Sequence, residues 1–126
     1  MYLEHVNMTV SDVARSIEFY RRVLGLNVRW EGTSSSGRPA AHIGGARDYI
    51  ALFEAATAGR AAADYDRVGL NHVGFVVDDL DAVKDRLAAL GITPHLEADY
   101  DPGRRLYFYD PDGVEVELVT YAADAG

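Results

Sequence analysis

Two histidines and one glutamate are the residues of this chain whose types and spacing suit a metal ion. His5 and His72 are 67 positions apart, and each opens a short apolar segment. Glu117 follows His72 by 45 positions, in a segment that reads as a strand. Two imidazoles and a carboxylate form a common ligand set for Fe, Mn, Ni, Co or Zn, and they leave coordination positions open. The pattern predicts a site for one divalent metal ion.

The segments that begin with these histidines start two copies of one pattern. In each copy a strand is followed by an amphipathic helix and then by three more strands. A short polar side chain precedes each helix and a glycine ends it. The caps are Ser11 or Asp12 and Asp78 or Asp79, and the glycines are Gly25 and Gly91. The stripes expected to face the core are Val13, Ile17, Tyr20, Val23 and Leu24 in the first helix and Leu80, Val83, Leu87 and Leu90 in the second.

This repeat predicts an α+β fold built from two tandem β-α-β-β-β modules that form a curved mixed sheet. The chain of 126 residues has the length of a single domain. Module one covers about 1–57, an alanine-rich linker about 58–68, and module two about 69–126. A duplication of this kind can bring equivalent positions together about a pseudo-twofold axis, and His5 and His72 occupy such positions.

Composition excludes several classes of function. The net charge of −8 argues against a nucleic-acid partner, because phosphates call for a basic surface. The chain has no long apolar run, no lysine-rich amphipathic face and no signal-peptide pattern at its polar start, so we expect no membrane partner and a cytoplasmic location. Without cysteine there is no disulfide, thiolate ligand or thiol nucleophile.

Six further residues are candidates for catalysis or substrate binding. Tyr107 and Tyr109 alternate onto one face of a strand, where their phenols either donate to a bound oxyanion or pack as aromatic rings. Arg104 and its neighbour Arg105 could clamp a carboxylate, or lie solvated at the start of that strand. Asn7 shares a face with His5 and suits a hydrogen-bonding role beside it. The six are Tyr107, Tyr109, Arg104, Asn7, His42 and Glu54.

The remaining histidines and carboxylates have competing interpretations. Alternation places Glu115 on the same face as Glu117, where both a place in the site and exposure to solvent fit the sequence. Glu54 fits a solvated strand end better than a metal ligand. For His42 and His95 a structural role is the better interpretation.

The closing segment 110–117, Asp-Pro-Asp-Gly-Val-Glu-Val-Glu, carries a resemblance to a known family. Together with the two strand-opening histidines and the β-α-β-β-β repeat, it resembles the vicinal oxygen chelate superfamily over essentially the whole chain. That superfamily includes glyoxalase I, extradiol dioxygenases, fosfomycin-resistance enzymes, methylmalonyl-CoA epimerase and bleomycin-binding proteins. In it, the first strand of each module offers a histidine and the last strand a carboxylate. The resemblance therefore implies His5, His72 and Glu117 as the ligands.

One position departs from the pattern of the family. Sliding module one onto module two matches the segment 49–54 to the segment 115–120, so that Ala51 stands where module two has Glu117. Glyoxalase-type enzymes place a glutamate or glutamine there, as a ligand and as the group that moves a proton. Alanine can do neither.

The resemblance implies a metal-dependent enzyme that acts on a small, oxygen-rich substrate chelated to the metal. With three ligands and Ala51, dioxygenase-like chemistry is favoured over a glyoxalase-type lyase or isomerase. The alternative is a metal-free protein that sequesters a small molecule, as bleomycin-resistance proteins do. The basic loop of fosfomycin-resistance enzymes is not obvious here. Related single-domain chains exchange modules, which implies a homodimer with His5 from one chain and His72 and Glu117 from the other.

Overall fold

The structure is a computed structural model, and it describes residues 1–100 and 103–121. The chain divides into two compact units, unit 1 from Met1 to Gly59 and unit 2 from Arg60 to Gly126. Most of the segment 58–68, predicted as a linker, therefore belongs to unit 2. The last residues assigned to module two, 122–126, lie outside the described residues.

Unit 1 is a four-stranded mixed sheet with one helix. Its strands run in the order β1-β4-β3-β2, with β1 and β4 parallel and the other neighbours antiparallel. The register pairs His5 with Tyr49 and Asn7 with Ala51. The elements are β1 (His5–Val10), α1 (Val13–Leu24), β2 (Asn27–Thr33), β3 (Pro39–Gly44) and β4 (Tyr49–Glu54).

Unit 2 repeats this topology. The strand order is β5-β8-β7-β6, with a parallel pair between β5 and β8. The register pairs His72 with Glu115 and Gly74 with Glu117. The elements are β5 (His72–Val76), α2 (Leu80–Ala89), β6 (Leu96–Tyr100), β7 (Gly103–Tyr109) and β8 (Glu115–Tyr121). The α+β class and the two β-α-β-β-β modules are thereby confirmed.

Both helices begin and end where the sequence predicts. The Asp12 carboxylate accepts from the backbone N–H of Arg15 at 3.1 Å, and Asp79 caps α2 in the same way. Gly25, with φ at 69°, closes α1 in the left-handed conformation that glycine adopts without strain. With 12 and 10 residues, neither of the two described helices is long and apolar enough to span a membrane.

The apolar stripe of α1 is rotated relative to the prediction. Ile17 and Leu24 are only partly buried, so their assignment to the core is wrong. Steps of three residues from Val13 turn the buried face toward Ser16 and Phe19, which take their places. In α2 the prediction is confirmed for Leu80, Val83 and Leu87, while Leu90, like Ile17 and Leu24, is only partly buried. The buried residues of α1 are Val13, Ser16, Phe19, Tyr20 and Val23.

The two faces of the unit 2 sheet have different characters. Val116 and Leu118 of β8 are fully buried and form one core with Leu106 and Phe108 of β7. Because side chains alternate along a strand, the intervening residues of both strands point to the opposite face. That face carries Glu115, Glu117, Tyr107 and Tyr109, and it is where the polar groups of unit 2 meet.

Candidate metal centre

Adjacent parallel strands bring two of the three predicted ligands together. His72 lies on β5 and Glu117 on β8, and Nε2 of His72 is 3.1 Å from Oε1 of Glu117. Metal–ligand bonds of 2.0–2.2 Å at right angles place two ligand atoms about 3 Å apart. The two donor atoms therefore have the separation of neighbouring ligands on one ion. An imidazole and a carboxylate fit a divalent metal in both chemistry and spacing.

A guanidinium orients the carboxylate of Glu117. Nη1 of Arg105 donates to Oε2 of Glu117 at 3.0 Å, while Oε1 faces His72. Glu117 is 8% exposed, so the charge of its carboxylate is largely removed from water. A buried charge needs a partner. Arg105, considered above as a clamp for a substrate carboxylate, instead contacts a carboxylate of its own chain.

Glu115 is the centre of a second group of contacts on the same face. Its Oε1 accepts from the Tyr65 hydroxyl, and its Oε2 lies 2.8 Å from Nε2 of His95. Burial raises the pKa of Glu115, but the hydrogen bonds from Tyr65 and His95 outweigh burial and lower that pKa overall. The hydrogen bond to Glu115 also raises the pKa of Tyr65 to about 12. At neutral pH Glu115 is an anion and Tyr65 a neutral phenol.

Aromatic rings complete this face, as predicted for Tyr107 and Tyr109. The ring of Tyr109 stacks on His95 with centroids 4.1 Å apart. Tyr107 meets His72 edge to face at 5.7 Å. Tyr107 pairs in register with Glu117 and Tyr109 with Glu115, so both rings lie beside the carboxylates.

In unit 1 the predicted ligand His5 also contacts a carboxylate, that of Glu4. Nδ1 of His5 is 2.9 Å from Oε1 of Glu4, and the Tyr49 hydroxyl donates to the same oxygen at 3.2 Å. The contact with His5 is the main cause that lowers the pKa of Glu4. An ionised carboxylate only accepts, so Nδ1 of His5 is the donor in this contact.

The strand register confirms that Ala51 is the counterpart of Glu117. Asn7 lies two residues after His5 and pairs with Ala51. In the same way, Gly74 lies two residues after His72 and pairs with Glu117. The Asn7 amide donates to the backbone carbonyl of Ala51 at 3.1 Å. Asn7 therefore ties β1 to β4 at the position where unit 2 presents its carboxylate.

Two of the candidate residues make contacts elsewhere in the fold, whereas His42 stacks on Tyr49, whose ring stacks in turn on His5 with centroids 4.8 Å apart. Glu54 accepts from the backbone N–H of Val13 at 3.0 Å, at the start of α1. Arg104 pairs with Asp81 of α2 at 3.0 Å, on the exposed surface of unit 2. His42 lies between aromatic rings of β2 and β4, with centroids 4.9 and 4.5 Å away. The geometry gives Glu54 and Arg104 structural contacts, and it places His42 in a stack of rings.

Within residues 1–100 and 103–121, no three histidine, aspartate or glutamate side chains lie close enough together to hold a metal ion. His72 and Glu117 supply two ligands from unit 2, and the third predicted ligand, His5, belongs to unit 1. The three-residue ligand set stays a prediction.

Tyr65 and His95 both contact Glu115 in unit 2, and the sequence does not single out either of them as a site residue. Tyr65 lies in the alanine-rich segment predicted as a linker, where no periodicity marks it. His95 was assigned a structural role, but its backbone N–H pairs with the Tyr107 carbonyl at 2.9 Å, which aligns it with the site strand. The register of the strand that follows His95 was the signal that could have placed it.

The sequence profile of the Glyoxalase/Bleomycin resistance protein/Dioxygenase superfamily matches residues 2–118. This chain belongs to that superfamily. The family resemblance inferred from the 110–117 segment and the two histidines is thereby confirmed.

Named members of the superfamily resemble this chain over nearly its whole length. Metallothiol transferase FosB of Staphylococcus epidermidis is 30% identical over 124 residues, which cover 94% of this chain and 82% of FosB. A glyoxylase/bleomycin resistance protein/dioxygenase domain from Frankia sp. EAN1pec superposes with a TM-score of 0.82 at 27% identity, over 98% of this chain and 93% of that domain. A variant of the fosfomycin resistance protein FosX from Listeria monocytogenes, in complex with Mn(II) and 1S,2S-dihydroxypropylphosphonic acid, has a TM-score of 0.76 at 21% identity, over 98% and 95% of the two chains. The likeness to FosX shows the fold alone.

Proposed function

We propose that this chain is a divalent-metal-dependent enzyme in which His5, His72 and Glu117 bind one ion of Fe, Mn, Ni, Co or Zn. The observation that carries the proposal is the 3.1 Å separation of Nε2 of His72 and Oε1 of Glu117. The metal in the name of FosB supports it. Three protein ligands leave room for a small, oxygen-rich substrate on the ion.

The reaction we propose is the addition of a thiol to a small electrophile such as an epoxide. The thiol sulfur forms a bond to an epoxide carbon, the C–O bond breaks, and the proton of the thiol ends on the released oxygen. The name of FosB, a metallothiol transferase, supports thiol transfer. Ala51 supports it chemically, because a thiol is already a few per cent ionised at neutral pH. Water addition and isomerisation need a base, and Ala51 cannot serve as one.

The bound metal would polarise the oxygen that becomes the alkoxide. Residues of the chain have the remaining roles. Arg105 holds Glu117 so that one carboxylate oxygen faces His72. Tyr107 and Tyr109 present ring faces and phenols beside the carboxylates, where they pack against the substrate and exclude water.

Two other functions are alternatives. The dioxygenase reaction favoured from the sequence stays a prediction, since FosB is named for thiol transfer rather than ring cleavage. A metal-free binding protein is the outcome if the chain holds no metal. The cytoplasmic location also stays a prediction.

We further propose a homodimer in which His5 comes from one chain and His72 and Glu117 from the other. Unit 2 contains only two of the three predicted ligands, so the site is incomplete without a unit 1. Either the same chain or a second chain can supply it.

The first test is metal content by mass spectrometry. Chelated protein is reloaded with each of the five metals and compared with His72→Ala and His42→Phe. We expect about one metal per chain in the wild type, none in His72→Ala, and wild-type content in His42→Phe, which keeps a ring in the stack. Retention of metal by His72→Ala, or no metal in the wild type, would contradict the proposed site.

The second test identifies the reaction on the loaded protein. An epoxide phosphonate is offered with and without a small thiol, beside catechols under air and 2-oxoaldehyde–thiol adducts. Thiol-dependent loss of the epoxide, with a thioether product of the summed mass, supports the proposed reaction. Turnover of catechol, or of epoxide without thiol, would contradict thiol transfer and favour the corresponding alternative.

A further inference from the structure

The nitrogen of His72 that faces away from Glu117 has a specific partner. Nδ1 of His72 is 3.0 Å from the Tyr65 hydroxyl, which also donates to Oε1 of Glu115. The direct distance from Nδ1 to Oε1 of Glu115 is 3.7 Å, too long for a hydrogen bond. Tyr65 therefore connects the ring of His72 to the buried carboxylate.

The hydrogen atoms that Tyr65 and Glu115 can supply determine which group donates in each of these hydrogen bonds. A tyrosine hydroxyl carries one proton, and an ionised carboxylate can only accept. The proton of Tyr65 is therefore donated to Glu115. Toward His72 the Tyr65 oxygen can only accept, so the hydrogen atom between them belongs to Nδ1 of the imidazole.

We propose that Tyr65 and Glu115 are positioning residues that hold His72 in the tautomer with hydrogen on Nδ1. The proposal rests on the proposed function, since it gives Nε2 of His72 to the metal. With hydrogen on Nδ1, Nε2 is the nitrogen that takes the metal, on the side of Glu117. In the opposite tautomer a proton would occupy the position of the metal and would have to move before the ion could bind.

The positioning carboxylate is itself held from a second side. Oε2 of Glu115 contacts Nε2 of His95 at 2.8 Å, and His95 is fixed by its stack on Tyr109. Glu115 is 7% exposed, so its charge acts at low dielectric and holds the Tyr65 proton strongly. Residues from the segments before β5 and β6, and from β8, thus act on one ring.

Unit 1 contains a simpler version of the same arrangement. Glu4 contacts Nδ1 of His5 directly, with no tyrosine between them. Both side chains are about half exposed, at 45% and 51%. Water can replace Glu4 more easily than it can replace a buried carboxylate, so we expect the stronger positioning effect at His72.

The decisive variant is Tyr65→Phe, which removes one hydroxyl and keeps the ring. Loss of a hydrogen bond to a ligand histidine lowers metal affinity by about 10- to 100-fold. We expect a Zn²⁺ affinity lowered by that factor in titration calorimetry with a competing chelator. The control is Tyr121→Phe, which removes an exposed phenol from β8 of the same unit and should leave the affinity unchanged.

A second measurement reads the tautomer without metal. Nitrogen-15 shifts of the His72 ring are recorded on metal-free protein at pH about 9.5, about three units above the ordinary imidazole pKa. The wild type should show a protonated Nδ1, because the Tyr65 oxygen accepts from it. In Tyr65→Phe the Nδ1 shift should move toward that of an unprotonated nitrogen, which a purely structural role of Tyr65 would not produce.

The outcomes separate this inference from the proposed function. An unprotonated Nδ1 of His72 in the wild type, or unchanged Zn²⁺ affinity in Tyr65→Phe, would overturn the positioning role. Absence of metal binding by a wild type that has its proton on Nδ1 would overturn the proposed function and leave the tautomer assignment standing.

Discussion

At the scale of single residues, the charge of Glu117 is balanced by neighbours on two sides. Arg105 contacts one oxygen and His72 the other, and the three side chains come from β5, β7 and β8. Such a buried carboxylate is stable in the fold only while its partners remain. The same arrangement holds the Glu117 carboxylate beside His72, where we propose that the metal ion binds.

The contribution of Arg105 can be separated from that of the arginine before it. Arg105→Met should lower the free energy of unfolding of the metal-free protein by about 1.5–3 kcal/mol, because a hydrogen bond to a charged group is lost. Urea denaturation in the presence of a chelator measures this change. Unchanged stability in Arg105→Met would show that Glu117 does not need the guanidinium.

Arg104→Met is the matched control for that variant. Arg104 and Asp81 are exposed, and the guanidinium lowers the pKa of the Asp81 carboxyl. This pair contributes only while Asp81 is ionised, so any contribution is lost as the pH falls through its lowered pKa. At neutral pH we expect no measurable change in stability and no change in metal content.

At this scale, residue types and repeated positions indicate His5, His72 and Glu117 as ligand candidates, and this set stays a prediction. The sequence predicted the shared face of Glu115 and Glu117 because strand alternation is a local rule. Tyr65 could not be predicted, since it reaches Glu115 across 50 positions from a segment without periodicity.

At the scale of elements, α1 shows where a periodic pattern is insufficient. A helix surface offers several overlapping apolar stripes, and the sheet beneath decides which of them is buried. The caps were predictable because Asp12 and Gly25 act within one turn. The rotation of the helix was not, because it depends on contacts with distant strands.

The rotation of α1 buries Ser16, and the effect of this residue on stability can be tested. This residue is fully buried, and its hydroxyl has no hydrogen-bond partner in the described part of the chain. Ser16→Ala should therefore raise the free energy of unfolding by about 1 kcal/mol, since a buried hydroxyl without a partner is costly. Chemical denaturation measures the difference, and a loss of stability would contradict the assignment.

Ser11→Ala is the comparison for this helix terminus. The Ser11 hydroxyl contacts the backbone N–H and carbonyl of Gly59, both at 3.3 Å. Its removal should lower stability by about 0.5–1 kcal/mol, so the two serine variants should change stability in opposite directions.

At the scale of the whole molecule, the arrangement of the two units decides which chain completes each site. The duplication predicted the fold of both units, because each repeats the same order of elements. It could not predict whether the third ligand is supplied within one chain, because sequence repeats are the same in a monomer and in a dimer that exchanges modules.

A heterodimer of His5→Ala and His72→Ala chains answers this question. With differently tagged chains, the purified heterodimer should hold about one metal per two chains if His5 acts across the dimer. Each variant alone should hold none. A heterodimer without metal would show that the ligands act within one chain, and a monomeric wild type would contradict the dimer itself.

The parallel pairing at one end of each sheet has a consequence for synthesis on the ribosome. In each unit the first strand made, β1 or β5, pairs within its sheet only with the last strand made, β4 or β8. His5 therefore leaves the exit tunnel early, yet its strand gains its place in the sheet only after Tyr49–Glu54 has been translated. A nascent chain stalled before that point carries the histidine without the strand that positions it. If His5 binds metal as we propose, its part of the site can form only after the first module is complete.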